Sequence, residues 1–582
     1  MKSISRSSGI LLLASGLTFA VFVACGGSDA DSKFGDGTDA GGSETGTGPT
    51  FGGPDNGTFA DFGAGPIIDG TDAGGAVATP ANAADLFTAA AGAVSGDPGS
   101  TPCLSEPEID SLVPRNWLRP RFRWAASDGA NLFEIRIHAA NQTNDLVVYT
   151  TATQWTMPKD TWTAFATHSA GADITVSIRG GKLANGAVTG VSQGSKGAWN
   201  IAPVDAPGSI VYWYVEPQTK VGELKGFSVG DEDTRVVLAP NQVSTQSGFK
   251  CVGCHTSSPD GDFALVSSDL FKSTDNTFDY GTGISSIQSA TIGQKPSYIT
   301  DAAKAAMNGA MQGITSTTSA FWTTGKHYVV GTHETDPDKA ASLSLVNLDE
   351  SSAANVLKTF TFPANSLRAG ALPSSPNFSH DGKHIAFVGG NEADGRPSGS
   401  KNDIYTMPFV DGTMTQTPTL LAGASDTAVN EYYPAFSPDD ALVAFTRTAT
   451  KDEDSYTAQH AEVFVVASAG GTAQRLAAND PPACSGKKSP GVENSWPKWA
   501  PPGASQKVNG KSYYWLVFSS TRSASSYSDG ATRQLYMAPV VVDEAGNVAQ
   551  YKAVYLWNQP PEESNHTPAW DVFAIPPSGG PK

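Results

Sequence analysis

Cysteine, histidine and basic residues are scarce in this chain, at five, nine and 38 of 582. The 57 acidic side chains outnumber the basic ones and leave a formal charge of −19. A polyanion such as nucleic acid, or an anionic lipid surface, finds no electrostatic footing on such a protein. Long apolar runs are lacking too. The stretch Ile10 to Val23 is too short for an ordinary spanning helix, and with Lys2 and Arg6 ahead of it reads as the apolar core of an export signal.

Within that scarcity one cluster stands out, Cys251-Val252-Gly253-Cys254-His255. C-x-x-C-H is the attachment signature of haem c: two thiols three residues apart add to the two vinyl groups of one porphyrin, and the adjacent imidazole is the proximal iron ligand. At this composition the pattern arises by chance on the order of 10⁻³ times per chain. Two rival readings stay open, a thiol pair or disulfide and a zinc site. A redox dithiol belongs at a helix start in a βαβ setting, yet Thr256-Ser257-Ser258-Pro259-Asp260-Gly261 follows here. Zinc needs a fourth ligand and usually a second pair, which the sequence lacks. The expected cofactor is therefore one haem c, held by Cys251 and Cys254 with His255 on the iron.

The apolar run ends in Phe22-Val23-Ala24-Cys25, which resembles the lipobox of bacterial lipoproteins. The resemblance implies that residues 1–24 are removed and that a lipidated Cys25 begins the mature chain. Phe22 departs from the usual Leu or small aliphatic residue. Cleavage removes Lys2 and Arg6 and takes the formal charge from −19 to −21. Residues 25–100, rich in Gly, Ala, Asp, Thr and Ser, are expected to form a disordered tether with a reach of roughly 45 to 50 Å. The expected location is the cell envelope, lipid-anchored at the outer membrane, on its periplasmic or exposed side. Haem c is attached outside the cytoplasm, so the two motifs agree. Expected partners are the membrane, through the anchor, and a redox or other envelope protein. In an oxidising compartment Cys103 and Cys484 could form a disulfide between folded regions.

Residues 101–205 carry period-two alternation in Pro120-Arg121-Phe122-Arg123-Trp124, Leu132 to Ile137 and Ile174 to Arg179, separated by turn residues. This patterning predicts a small β-sandwich, and the Pro-x-Phe-x-Trp entry is similar to fibronectin type III-like domains.

Residues 206–582 repeat. Ser375-Pro376-Asn377-Phe378-Ser379-His380-Asp381-Gly382 is echoed by Tyr433-Pro434-Ala435-Phe436-Ser437-Pro438-Asp439-Asp440 and by Trp496-Pro497-Lys498-Trp499. Strand, tight turn and strand at such spacing read as propeller blades. The repeats resemble the TolB-like branch of β-propellers, whose blades open on a Pro-x-Phe/Trp-Ser-Pro-Asp-Gly phrase. The resemblance implies an all-β fold, a six-bladed propeller preceded by the sandwich and the tether. A strand at Thr567-Pro568-Ala569-Trp570 would complete the first blade and close the ring.

Aligned on the turn, His255 falls where Pro376, Pro434 and Pro497 fall, so the haem motif is written into a blade. His566, two residues before Pro568, and His333, on the next blade, are candidates for the distal iron ligand, with Met307 or Met311 as a third possibility. No set of acid, base and nucleophile is recognisable. The expected function is electron transfer; a non-redox binding or scaffold propeller and a haem-dependent periplasmic enzyme are the alternatives.

Overall fold

The computed structural model describes residues 61–575 except 71–77, 91–93, 95, 217–218, 220, 244–248, 273–276, 287–296, 335–340, 391, 394–395, 398–401, 451–452, 454–457, 504–505 and 523–531. The export signal, Cys25 and most of the expected tether lie outside the described residues. No described helix is long and apolar enough to cross a membrane.

The N-terminal unit is a sandwich of two sheets. One has six strands in the order Ile67–Ile68, Leu146–Thr150, Leu132–Ala139, Ile174–Ala184, Ala187–Ile201, Ser111–Val113; the other pairs Cys103–Glu106, Arg121–Ala125 and Gln154–Thr156. Both edge strands of the larger sheet pair in parallel, a departure from an all-antiparallel fibronectin-like pattern. A second departure concerns the tether. Part of residues 25–100 is folded: Ile67 and Ile68 pair with Val148 and Tyr149, and the helix Ala83–Ala89 buries Phe87 against Tyr149. Phe62, only 1% exposed, packs on Phe165 with ring centroids 4.8 Å apart. Average composition concealed a few large apolar side chains, each worth about 1.5–3 kcal/mol when buried.

The remainder is a ring of six blades: the first two share one seven-stranded sheet, joined in parallel where Gly222 meets Cys251, and the short pairing of Glu392–Ala393 with Arg396–Pro397 stands apart. The inner strands, in chain order, are Phe249–Ser257, Met311–Ser316, Leu372–Phe378, Glu431–Phe436, Asn494–Trp499 and Asn565–Asp571. The last of these pairs with Ser209–Val215 and so completes the first blade. Ring closure by a late strand removes the sheet edges that two incomplete blades would expose.

The repeated phrase has a local cause. Ser379 N–H donates to the His384 carbonyl at 2.9 Å, its hydroxyl donates to Asp381 at 2.8 Å, and Gly382 takes φ 70° to turn the chain back. Ser437 and Asp439 repeat the arrangement, with Asp440 at φ 60° where the glycine stood.

Each inner strand also slips register, the strand Phe249–Ser257 twice, first between Phe249 and Cys251. The shifts fall between Val252 and His255, Gln312 and Thr315, Ser374 and Asn377, Tyr432 and Ala435, and Ser495 and Lys498, with a corresponding shift against the closing strand. Five of these bulges hold a residue in the left-handed region: Gly313, Ser375, Tyr433, Trp496 and Thr567. Four of the five are not glycine and carry backbone strain there.

Sandwich and ring share one apolar core, running from Ile135 and Trp199 to Trp515, Met537 and Trp570. Cys103 and Cys484 are bonded across the junction. Beside them the fully buried Arg522 donates to the Asp480 carbonyl at 3.0 Å and to Asn494 at 2.8 Å, with Glu108 at 3.7 Å.

Candidate functional site

The strand Phe249–Ser257 is the inner strand of the second blade and carries the whole C-x-x-C-H motif. Its bulge turns the two cysteines to different surroundings. Cys251 stands opposite Gly222 of the first blade and is 3% exposed, in a cluster with Val211, Trp213 and Leu224. A side chain on Gly222 would come within 2.6 Å of the Cys251 sulfur and 2.9 Å of Trp213 Nε1, so glycine is required at that crossing. Cys254 packs instead with Tyr432, Tyr433, Trp496 and Ile314, which come from three other blades and meet in the central channel.

His255 Nε2 donates to the Val211 carbonyl at 3.0 Å, which fixes the tautomer because a carbonyl only accepts. Its Nδ1 is buried, near the Gly253 backbone but without a hydrogen bond of good geometry. Burial pushes the imidazole pKa down to about 4, and the charge of Lys498 adds to this.

The structure brings His566 to the same place. It lies opposite Trp213 in register, edge-on to that indole with centroids 4.5 Å apart. Burial, then Arg533, then His255 hold its pKa well below the usual histidine range, so the two imidazoles stand within reach of each other's charge. His333 is not part of this group: it pairs with Met311 and Ser342, and burial alone lowers its pKa. Met307 and Met311 also lie apart from this group. Both are buried among Leu265, Ile299, Trp322 and Val346, filling the core beside the helix Asp301–Ala310.

These residues do not fit a doubly attached haem in this closed form. Cys251 is disulfide-bonded and lies in a different cluster from the free Cys254, and the His255 ring is held on the Val211 carbonyl through Nε2. Among the described residues no group of three or more His, Cys, Asp or Glu is placed to hold a metal ion.

Sequence reasoning passed over Lys498. It follows Pro497 on the inner strand of the sixth blade and is half-buried. Burial pushes its pKa down to about 8, countered by Asp571 of the closing strand and by Cys254. Asp571 is itself raised by burial and steadied by Ser257. A signal was available, since the same position in three other blades is Asn377, Ala435 and Ala569, and only this blade puts a cation there.

A second buried charge cluster lies between the fourth and fifth blades. Arg368 pairs with Asp403 and donates to the Ser425 carbonyl at 3.0 Å, while Arg447 holds Glu431 at 3.0 Å. The other carboxylate oxygens, Asp403 Oδ1 and Glu431 Oε2, are buried without hydrogen bonds.

Fold and site together define a six-bladed β-propeller fused to a β-sandwich, with its chemistry concentrated where the first, second and sixth blades meet. No protein-family model and no curated protein matches the chain. Among solved structures it is similar to a putative TolB from Agrobacterium tumefaciens, at 15% identity over 62% of this chain and 98% of that one, with a TM-score of 0.28. It is also similar to the Kuenenia stuttgartiensis hydrazine synthase, at 11% identity over 62% and 46% with a TM-score of 0.36. A Synechocystis apocarotenoid oxygenase aligns at 9% identity over 78% and 96%, TM-score 0.32. These are likenesses of propeller architecture and carry nothing about activity.

Proposed function

We propose that the protein is an exported β-propeller, tethered to the envelope through a lipidated Cys25, that takes a ligand into its central channel. The observation behind this reading is the convergence of Cys254, His255, Lys498 and Asp571 from three blades on one stretch of channel. An aromatic layer of Tyr433 and Trp496, with centroids 4.0 Å apart, covers Cys254. Both aromatic residues hold positive φ, as the bulge residues Gly313, Ser375 and Thr567 do in three other blades. The test is native mass spectrometry of protein purified from a bacterial envelope. A small molecule should co-purify with the wild type and be lost from a folded Tyr433→Ala, Trp496→Ala variant. A bare wild type that no ligand panel shifts in melting temperature would overturn the reading. Anchoring is checked separately: Cys25→Ser should abolish membrane partitioning, and unchanged partitioning would point to another anchor.

A second reading is favoured by the C-x-x-C-H spacing and by the adjacency of His566 and His255. Here the chain is a mono-haem electron-transfer protein, with haem c on Cys251 and Cys254 and His566 as the distal residue. Expression with the haem-attachment machinery and pyridine haemochrome analysis decides it. One covalent haem per chain, lost on Cys251→Ala with Cys254→Ala, supports it; a haem-free protein ends it and leaves the first reading.

A further inference from the structure

We propose that the cleft between the sandwich and the first blade is a second binding site, one that takes a neutral carbohydrate. It shares no residue with the channel group and stands independently of the channel reading.

The cleft holds about 370 Å³, in the usual range for small-molecule sites, and lies at a junction of two folded units, where such sites are common. Arg115 and Arg119 of the sandwich, Asp205 of the connection and Glu232 of the first blade wall it. The helix Lys159–His168 lines it with Lys159, Thr163 and Thr167, spaced by four along one exposed face. These groups are held in place. Arg115 donates to Asp205 through Nε and Nη2, each at 2.9 Å, and Arg119 Nε lies 3.0 and 3.1 Å from the two carboxylate oxygens of Glu232. Asn116 exchanges two bonds of 2.8 Å with the Ala206 backbone. Three indoles pin the same wall by donating to backbone carbonyls: Trp162 to Trp117 at 2.9 Å, Trp557 to Arg119 at 2.9 Å and Trp570 to Pro207 at 2.8 Å. Trp117 is the exception. It lines the cleft at 4% exposure, and its buried Nε1 has no hydrogen bond, so a donor is left for an acceptor brought by a ligand. The charge balance selects the ligand. Both guanidiniums are already matched by carboxylates, and a phosphate or carboxylate ligand would have to displace Asp205 or Glu232. A sugar hydroxyl donates and accepts at once, so it can bridge a guanidinium N–H to the carboxylate beside it; the bidentate pair uses two of the five N–H groups of Arg115. Thr163 and Thr167 donate to the carbonyls of Lys159 and Thr163, which leaves their oxygens as acceptors. Trp117 and Trp162 add apolar surface for the C–H face of a pyranose ring.

The experiment is saturation-transfer difference NMR on the folded protein, with maltose, cellobiose and chitobiose as probes and inorganic phosphate as competitor. At least one disaccharide should receive saturation and keep it when phosphate is added. Asp205→Ala should weaken that binding about tenfold, the effect of losing one charge-assisted hydrogen-bonding partner. Thr163→Trp, a change on the exposed helix face that fills the cleft, should abolish the transfer and leave the melting temperature unchanged. Transfer undiminished in both variants would place the sugar elsewhere and overturn the assignment. So would no transfer to any of the three probes, or binding of phosphate alone. The Tyr433→Ala, Trp496→Ala variant should keep the full saccharide signal; loss of the signal there would move the sugar to the channel and overturn the second site while leaving the channel reading intact.

Discussion

Cys103 on the sandwich and Cys484 in the connection between the fifth and sixth blades are joined by a disulfide across 381 residues, with their Cα atoms 6.0 Å apart. The bond lies where the two units already share a core, so it fastens a junction that packing defines. Replacing both by serine should lower unfolding stability by about 2–5 kcal/mol, since a long loop in the unfolded chain is released. Denaturant titration of wild type and variant checks this. Identical midpoints would show that the bond contributes nothing.

The carboxyls between the fourth and fifth blades should make stability fall as pH rises from acid to neutral. Burial raises Asp403 to about 6 and Glu431 to about 7, against the pull of Arg368 and Arg447. The folded chain therefore binds these protons more tightly than the unfolded one. Stability from them is full below the unfolded carboxyl range and is lost as pH rises through 6 to 7. Glu431→Gln, which has no proton to lose, should match wild type near pH 5 and exceed it by on the order of 2 kcal/mol at pH 8. Parallel melting curves across that window would refute the assignment.

His255 should act in the opposite direction. Its folded pKa of about 4 lies below the unfolded value of 6.5, so its contribution is present above the unfolded value and is lost as pH falls toward 4. His255→Gln should flatten that acid limb, by on the order of 3 kcal/mol across it. The readout is melting temperature against pH, with Glu431→Gln as background so that the two limbs separate.

Ser375 holds φ 50° with a buried hydroxyl that has no hydrogen bond. Ser375→Gly should raise stability by about 0.5–1 kcal/mol by relieving the left-handed backbone, a reversal of the usual effect of glycine in a strand. Loss of stability on that change would mean the bulge relaxes in solution.

The propeller was legible because each blade writes its own turn: Ser379, Asp381 and Gly382 close a hairpin using atoms within five residues of each other. The closing strand was legible by the same phrase, through Pro568 and Trp570. The adjacency of His566 to His255 followed from aligning those phrases around the ring. The surroundings of Cys251 and Lys498 did not follow. They depend on Gly222, Trp213 and Asp571, which other blades supply, and on a bulge that separates two cysteines only three positions apart. Residues such as Phe62 and Phe87 escaped notice because a few large side chains barely change the average of a glycine-rich stretch.

The strand Asn565–Asp571 sits in the first blade although some 350 residues separate it from its partner Ser209–Val215. A chain lacking it would leave that partner with an unpaired edge, open to protease and to pairing with other incomplete copies. The ring is complete only once its last strand is in place.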